Sequence, residues 1–187
     1  MVGKMPDQAY KRKREIQKEN PEWENRNMMK VLIVSDTHRQ NSNYLKALEE
    51  VRPVDMVIHC GDVEGSEYLI QESAGCLVEM VAGNNDFFSS LPREKEIEIA
   101  GKRILLTHGH YYHVAMGTEV LKEEAVSRGI DIVMYGHTHK PVIEIGKKVT
   151  VLNPGSLTYP RQEGRRPSYM LMEIDESGQP EYSIHYI

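Results

Sequence analysis

The chain has 187 residues, which is enough for one well-packed domain and too few for two ordinary ones. Hydrophobic residues make up 40% and charged residues 27%, a balance typical of a soluble globular protein. The net charge of -5 gives no reason to expect binding to nucleic acid or to acidic membranes. No apolar stretch reaches the roughly 18 residues of a membrane helix, and no apolar core follows the basic N-terminus as in a secretion signal. These features predict a cytoplasmic protein without a membrane span.

The composition changes near Met28. Residues 1–28 are polar and dense in charge, with a basic cluster at residues 11–14. A short helix can begin at Asp7 and end at Asn20-Pro21. We therefore predict a charged N-terminal extension over residues 1–28 and a folded domain over residues 29–187. The extension is a solvated appendage, an upstream start before the true one at Met28 or Met29, or an arm that contacts a partner subunit or an anion. Contact with a partner subunit would favour a homodimer.

From Lys30 onward, short apolar runs alternate with segments of helical spacing, which favours a parallel βαβ sheet. This first part predicts strands over 31–34, 56–59 and 76–81, and helices over 43–51 and 64–73. A hairpin around Ala100-Gly101 joins predicted strands over 97–99 and 103–106. A predicted helix over 115–128 then precedes strands over 130–134, 142–145, 149–152, 169–174 and 182–187. The best fit is two mixed sheets packed face to face, with helices outside.

Five of the apolar runs end in short polar signatures that share one kind of chemistry. The signatures are Asp36-Thr37-His38, Gly61-Asp62, Gly83-Asn84, His108-Gly109-His110 and Gly136-His137-Thr138-His139. Ligands of α/β folds gather beyond the carboxyl ends of strands, so the five ends should converge on one place. The Asp-x-His and His-x-His spacings put both side chains on one side of an extended segment.

The residue types indicate which cofactor these signatures would bind. Mixed Asp, His and Asn donors suit Mn, Fe, Zn, Co or Ni, and they are too rich in imidazole for a Mg or Ca site built from oxygen. The predicted metal ligands are Asp36, His38, Asp62, Asn84, His108, His137 and His139.

In this order, the motifs resemble those of the calcineurin-like metallophosphoesterases, and the resemblance runs from Lys30 to the C-terminus. A further segment resembles the small bacterial and archaeal phosphodiesterase branch of that family, namely Asn153-Pro154-Gly155-Ser156 followed by Pro160-Arg161. The resemblance implies an α/β fold, a four-layer αββα sandwich with a metallophosphoesterase domain and a dinuclear metal centre.

The resemblance also implies a division of the ligands between two divalent ions, for which Mn is the first choice. The first ion would be held by Asp36, His38 and His139, the second by Asn84, His108 and His137, and both by Asp62. A hydroxide shared by the two ions would attack phosphorus in line with the leaving oxygen of a small phosphodiester.

One position departs from the Gly-Asn-His-Asp/Glu motif of the wider family, whose histidine helps to protonate the leaving group. Here that position is Asn85, which cannot supply a proton at neutral pH. The change predicts a preference for good leaving groups, or an acid from elsewhere. His110 is the nearest candidate acid in the sequence, and it can equally form a hydrogen-bonded wall of the pocket. Asp86, which in the family orients the missing histidine, has an open role.

Three other sites allow two interpretations each. His59 lies inside an apolar run, and we predict a packed strand histidine rather than a ligand. Tyr111 and Tyr112 can line a substrate cleft or pack a loop against a helix. Arg161 can hold a non-bridging phosphate oxygen or be an ordinary surface arginine.

The leading hypothesis is a metal-dependent phosphodiesterase. One alternative is a phosphatase that acts on monoesters. Another is a scaffold like the metallophosphoesterase-like subunit of the retromer coat, which resembles this fold and size and also lacks the active-site histidine. The complete set of predicted ligands favours an enzyme, because a scaffold does not need all of them.

Overall fold

The computed structural model of the protein describes residues 28–187, and the predicted extension with its helix lies outside them except for Met28. The strands are β1 Met28–Val34, β2 Met56–His59, β3 Leu77–Met80, β4 Glu94–Ile99, β5 Lys102–Thr107, β6 Ile132–Met134, β7 Pro141–Ile145, β8 Thr150–Pro154, β9 Ser168–Asp175 and β10 Pro180–Tyr186. The helices are α1 Ser42–Val51, α2 Glu67–Ala74 and α3 Glu119–Ser127, with a 3-10 turn at His110–Tyr112. Within residues 28–187, none of the helices has the length and apolar character needed to cross a membrane.

The strands form two five-stranded mixed sheets, ordered β10-β9-β1-β2-β3 and β4-β5-β6-β8-β7. In the first sheet β1, β2 and β3 are parallel neighbours, and in the second sheet β5, β6 and β8 are. The other strands pair antiparallel at the sides of these parallel centres. The prediction of two mixed sheets is confirmed. Because parallel strands end at the same edge, each sheet presents three carboxyl ends together.

Alternating side chains on the parallel strands produce three apolar layers. Ile33 and Ile104, from different sheets, belong to the core between the sheets. Leu32, the neighbour of Ile33, points the other way and packs with residues of α1 and α2. Leu105 likewise packs with residues of α3 on the outer face of the second sheet. Full burial of one such side chain is worth roughly 1.5–3 kcal/mol. The resulting order of layers is αββα, as the resemblance implied.

The predicted helix over 115–128 is too long, because α3 begins only at Glu119. Gly117 has φ 150°, which no helical residue adopts, and His113 has φ 55°. Helical spacing of apolar residues does not reveal such backbone angles. The segment before α3 is therefore a 3-10 turn and a loop that remain close to His108.

Candidate metal centre

The structure brings the seven predicted ligands together beyond the carboxyl ends of five parallel strands. Asp36 and His38 follow β1, Asp62 follows β2, Asn84 follows β3, His108 follows β5, and His137 and His139 follow β6. Four of them have ligand atoms that all lie within 4.8 Å of one another, namely Asp36, His38, Asp62 and His139. This set contains the three residues predicted for the first ion, together with the predicted bridge.

The buried carboxylate of Asp36 has one satisfied oxygen and one that lacks a hydrogen bond. Oδ2 accepts hydrogen bonds from Ser35 Oγ at 2.6 Å and from the His137 N–H at 3.2 Å. Oδ1 has no hydrogen-bond partner, although His139 Nε2 lies 3.0 Å away. His139 Nδ1 donates to the Tyr159 carbonyl at 2.7 Å, so the Nε2 of a neutral ring presents a lone pair. Two acceptor atoms this close repel each other unless a proton or a metal cation lies between them.

Asn84 is the centre of the second group. Its Oδ1 lies 3.1 Å from His108 Nε2 and 2.8 Å from His137 Nδ1. His108 Nδ1 donates to the Cys60 carbonyl at 2.7 Å, and a neutral ring then has an acceptor at Nε2. The amide oxygen and the two ring nitrogens therefore point toward one another, as the ligands of one ion would.

Asp62 lies between the two groups. Its Oδ2 is 3.7 Å from His38 Nε2 and 3.5 Å from His108 Nε2. Asn85 donates two hydrogen bonds to the same carboxylate, from its backbone N–H to Oδ1 at 2.8 Å and from its side-chain amide to Oδ2 at 2.7 Å. Asn85, which stands where the wider family has a proton-donating histidine, thus orients Asp62, the predicted bridging ligand.

His38, His108 and His139 share one feature, which is a carbonyl or carboxylate oxygen close to Nδ1. For His38 the partner is Glu64 Oε1 at 2.6 Å, and its buried Nε2 has no partner. Such partners fix the ring and its tautomer, which leaves Nε2 for a metal ion. Sequence reasoning missed the roles of Glu64 and of the Tyr159 carbonyl, because both contacts join segments that are distant in the chain.

Five of the seven predicted ligands have a left-handed backbone. The φ angles are 55° at Asp36, 44° at His38, 59° at Asp62, 67° at His137 and 57° at His139. Each such residue costs roughly 1–2 kcal/mol, and strain of this kind concentrates at functional sites. The expectation that Asp36-x-His38 and His137-x-His139 lie on extended segments is therefore wrong. The backbone turns at these residues, and the turns direct the side chains toward the centre.

Two glycines allow the strand ends to approach the ligands. A Cβ atom on Gly83 would lie 2.2 Å from Asp62 Oδ1, and one on Gly136 would lie 2.1 Å from Ser35 Oγ and 2.9 Å from Asp36 Oδ2. A side chain at either position would displace a ligand carboxylate.

The structure provides a role for Asp86. Its Oδ2 accepts backbone N–H groups from Asp62 at 2.8 Å, Val63 at 3.3 Å and Gly83 at 2.7 Å, and its Oδ1 accepts the Glu64 N–H at 2.6 Å. The carboxylate is buried, with 8% of the residue exposed. One side chain thus joins the loops after β2 and β3 and holds the backbone that presents Asp62.

The Asn-Pro-Gly-Ser segment at the end of β8 supports the same centre. The Asn153 amide donates to the Gly136 carbonyl at 2.8 Å, directly before the His-x-His turn. Ser156 Oγ donates to the Asp36 carbonyl at 2.9 Å. These two residues hold the backbone of loops that carry predicted ligands from both sheets.

His110 packs beside the centre with a neutral ring. Its ring centroid lies 5.5 Å from that of His108 and 6.1 Å from that of His137. Burial and the two neighbouring histidines lower the pKa of His110 to about 4, so the ring carries no spare proton at neutral pH. This favours the pocket-wall interpretation, and the role of acid stays a prediction.

The tyrosines that follow His110 differ from each other. The Tyr112 hydroxyl donates to Glu94 Oε2 at 2.6 Å, which anchors the 3-10 turn to β4. Tyr111 is 55% exposed, and the Arg93 guanidinium lies 4.9 Å from its ring centroid. Tyr112 therefore packs, while Tyr111 is available at the surface beside His110.

His59 is a packed strand histidine. The Gly61 N–H donates to Nδ1 at 3.2 Å, so the proton of the neutral ring is on Nε2, which lies 3.1 Å from Thr37 Oγ1. The ring is fully buried, and this burial lowers the pKa of His59 to about 4.

A His59→Gln variant should show a weaker pH dependence of stability than the wild type. The pKa of His59 is about 4 in the folded state and about 6.5 in the unfolded state, so unfolding takes up a proton between these values. The contribution of neutral His59 is complete above pH 6.5 and is lost as the pH falls toward 4. In urea unfolding with EDTA, the free energy of unfolding should fall by about 3 kcal/mol less in the variant than in the wild type over this window. His113→Gln, at an exposed histidine, is the control, and equal slopes for wild type and His59→Gln would contradict the assignment.

The αββα fold and the centre of Asp, Asn and His donors at converging strand ends define a class of protein, the metal-dependent hydrolases of phosphate esters. The sequence model of the calcineurin-like phosphoesterase superfamily domain matches residues 29–177. The chain belongs to this family and is a metal-dependent phosphoester hydrolase.

Relatives of known sequence agree with this assignment. A probable metallophosphoesterase of Mycoplasma genitalium is 31% identical over 163 residues, which cover 85% of this chain and 96% of the relative. A phosphodiesterase of Methanocaldococcus jannaschii is 35% identical over 146 residues, covering 68% of this chain and 83% of the relative.

Solved structures share the fold. A predicted phosphoesterase from Streptococcus pneumoniae superposes with a TM-score of 0.73 at 28% identity, covering 85% of this chain and 90% of that chain. A single mutant of Vps29 from Entamoeba histolytica superposes with a TM-score of 0.69 at 27% identity, covering 85% of this chain and 99% of that one.

Proposed function

We propose that the protein is a phosphodiesterase with a dinuclear metal centre. One divalent cation would be held by Asp36, His38 and His139, the other by Asn84, His108 and His137, and both by Asp62. The observation that carries this proposal is the position of Asp62 Oδ2, 3.7 Å from His38 Nε2 in one group and 3.5 Å from His108 Nε2 in the other.

The donor atoms fit divalent cations in chemistry as well as in position. Asp36 Oδ1 and His38 Nε2 are buried and lack hydrogen-bond partners, a costly arrangement that a cation would relieve. The donor set suits Mn, Fe, Zn, Co or Ni, and Mn is our first choice. When bound, two such ions would polarise the phosphoryl oxygens and lower the pKa of the attacking water.

The residues of the chain supply rigidity around this chemistry. Asn85 orients the Asp62 carboxylate through two hydrogen bonds. Asp36 and His108 are fully buried, so bulk water does not reach them and electrostatic interactions there are stronger. A diester is the proposed substrate because the Methanocaldococcus relative is named a phosphodiesterase. Asn85 cannot protonate a leaving group, so esters with good leaving groups should be preferred.

Metal content and ester preference together test this proposal. The protein is stripped with chelator, reloaded with Mn, and assayed with bis(p-nitrophenyl) phosphate and p-nitrophenyl phosphate. We expect about two equivalents of metal and a kcat/KM at least roughly tenfold higher for the diester. A higher kcat/KM for the monoester would make the protein a phosphomonoesterase, and bound metal without turnover of either ester would refute an enzymatic role.

Asn85→His should help most with substrates that have poor leaving groups. An imidazole can donate the proton that the carboxamide cannot, and general acid catalysis is worth about 10²–10⁴-fold when a proton is needed. A series of aryl methyl phosphates with rising leaving-group pKa should therefore show a shallower dependence of kcat in the variant. Asn85→Gln keeps the amide chemistry and is the control. Parallel plots for wild type and Asn85→His would contradict this account of Asn85.

A scaffold is the second candidate function, and two observations favour it. This chain covers 99% of a solved Vps29, which is named for vacuolar protein sorting and not for ester hydrolysis. In addition, Phe87 and Phe88 follow Asp86 directly and are 79% and fully exposed, which is unusual for aromatic side chains. A wild type that binds metal but turns over neither ester would favour the scaffold. If diester turnover is found, equal turnover in a Phe87→Ser/Phe88→Ser variant would show that the exposed aromatic pair has a role apart from catalysis.

A further inference from the structure

A cleft of about 440 Å³ lies beside the centre. It is lined by Thr158, Tyr159, Pro160, Arg161 and Arg165, in the loop that follows β8. Its size is within the roughly 300–1,000 Å³ range of small-molecule sites. The backbone of this loop is tied to a predicted ligand, because the Arg161 N–H donates to the His139 carbonyl at 3.0 Å.

Two arginines of the cleft have no partner for their charge. Within residues 28–187, the guanidinium groups of Arg161 and Arg165 form no ion pair or hydrogen bond, although Glu163 lies between them in the chain. By contrast, the guanidinium of the nearby Arg166 donates to the Tyr186 carbonyl at 3.3 Å and lies over the Tyr186 ring. A pair of unpartnered guanidinium groups in one cleft suits a phosphate, which each of them can bind in a bidentate manner.

Tyr159 connects the cleft to the centre. Its ring centroid lies 5.1 Å from that of His38, and its hydroxyl accepts a hydrogen bond from Gln40 Nε2 at 2.8 Å. The residue is nevertheless 52% exposed, and it lines the cleft. An aromatic ring fixed on one side and open on the other provides a surface on which a planar group can stack.

From these features we infer that the cleft binds one ester arm of the substrate, and that this arm is a nucleoside that carries a second phosphate. Arg161 and Arg165 bind the second phosphate, and Tyr159 stacks on the planar base. The inference rests on the proposed phosphodiesterase activity at the centre and adds the class of substrate, which is a small nucleotide diester. The net charge of -5 opposes long polynucleotides.

Calorimetry of the Mn-loaded protein tests the subsite without turnover. Thymidine 3′,5′-bisphosphate should bind roughly tenfold more tightly than thymidine 5′-monophosphate, because a charge-assisted contact is added. Arg161→Ala and Arg165→Ala should each reduce this ratio several-fold, whereas the matched control Arg166→Ala should keep it. Equal affinities for the two nucleotides, or an equal loss of the ratio in all three variants, would overturn the proposal.

Two further measurements test the second-phosphate contact and the stacking on Tyr159 separately. With thymidine 5′-(p-nitrophenyl phosphate), an added 3′-phosphate should lower KM roughly tenfold and leave kcat unchanged, since the leaving group is the same. Tyr159→Leu should weaken binding of the bisphosphate more than that of inorganic phosphate, which reports any disturbance of the neighbouring His38. Equal weakening of both would refute stacking on Tyr159. If no ester is turned over, the phosphodiesterase proposal fails, while the affinity ratio still decides the subsite.

Discussion

Asp62→Asn is expected to reduce hydrolysis of bis(p-nitrophenyl) phosphate by roughly a thousandfold or more. The substitution removes the charge of the proposed bridge, so the transition state loses about 4 kcal/mol or more of stabilisation. In the wild type, both N–H donors of Asn85 find an acceptor oxygen on Asp62. In the variant one of these oxygens becomes an NH₂ group, so one Asn85 donor faces another donor. The measurement is kcat/KM with Mn in excess, combined with metal content after desalting.

Asp131→Asn is the matched control for this prediction. The Asp131 carboxylate accepts the Arg103 N–H at 2.8 Å. It directly precedes β6, whereas His137 follows the other end of that strand. The activity of the Asp131→Asn variant should therefore stay close to that of the wild type. Diester activity that survives Asp62→Asn would show that the centre has been assigned to the wrong residues.

Asp86→Asn is the substitution with the second largest expected effect, although Asp86 is not a proposed ligand. An amide cannot accept on its nitrogen side, so backbone N–H groups of Asp62, Gly83 or Glu64 would lose their acceptor. We expect metal affinity to fall about 10–100-fold and the free energy of unfolding to decrease by about 2–3 kcal/mol. Calorimetric Mn titration and urea unfolding of the metal-free protein measure the two effects separately.

The alternative role for Asp86 is direct participation in proton transfer. In that case the variant would bind Mn normally and would show a displaced pH profile of kcat. Recovery of kcat at saturating Mn, with an unchanged pH profile, is the result that a positioning role requires. Asp55→Asn is the control. The Asp55 carboxylate, just before β2, accepts the Lys30 N–H at 2.7 Å, and an amide oxygen can keep that bond, so the variant tests the loss of a carboxylate charge alone.

The sequence alone determined the layers and the chemical character of the centre. Runs such as 31–34 and 56–59 were long enough and apolar enough to be buried strands, and parallel strands bring their carboxyl ends together whatever the details of packing. The residue types at those strand ends carry the metal-binding atoms, so Asp36, His108 and His139 could be predicted as ligands without coordinates. Boundaries were less predictable, and the helix before Ser127 was predicted too long because backbone angles at Gly117 leave no trace in apolar spacing.

Only the tertiary structure decided what surrounds those ligands. Glu64 at His38, Asn85 on Asp62 and three of the four N–H groups on Asp86 are contacts between atoms of different loops, more than 20 residues apart. Such contacts depend on left-handed turns and on the distance between strand ends, and neither is encoded in residue type or spacing. The physical reason is that donor chemistry is a property of single residues, whereas orientation is a property of the packed loops.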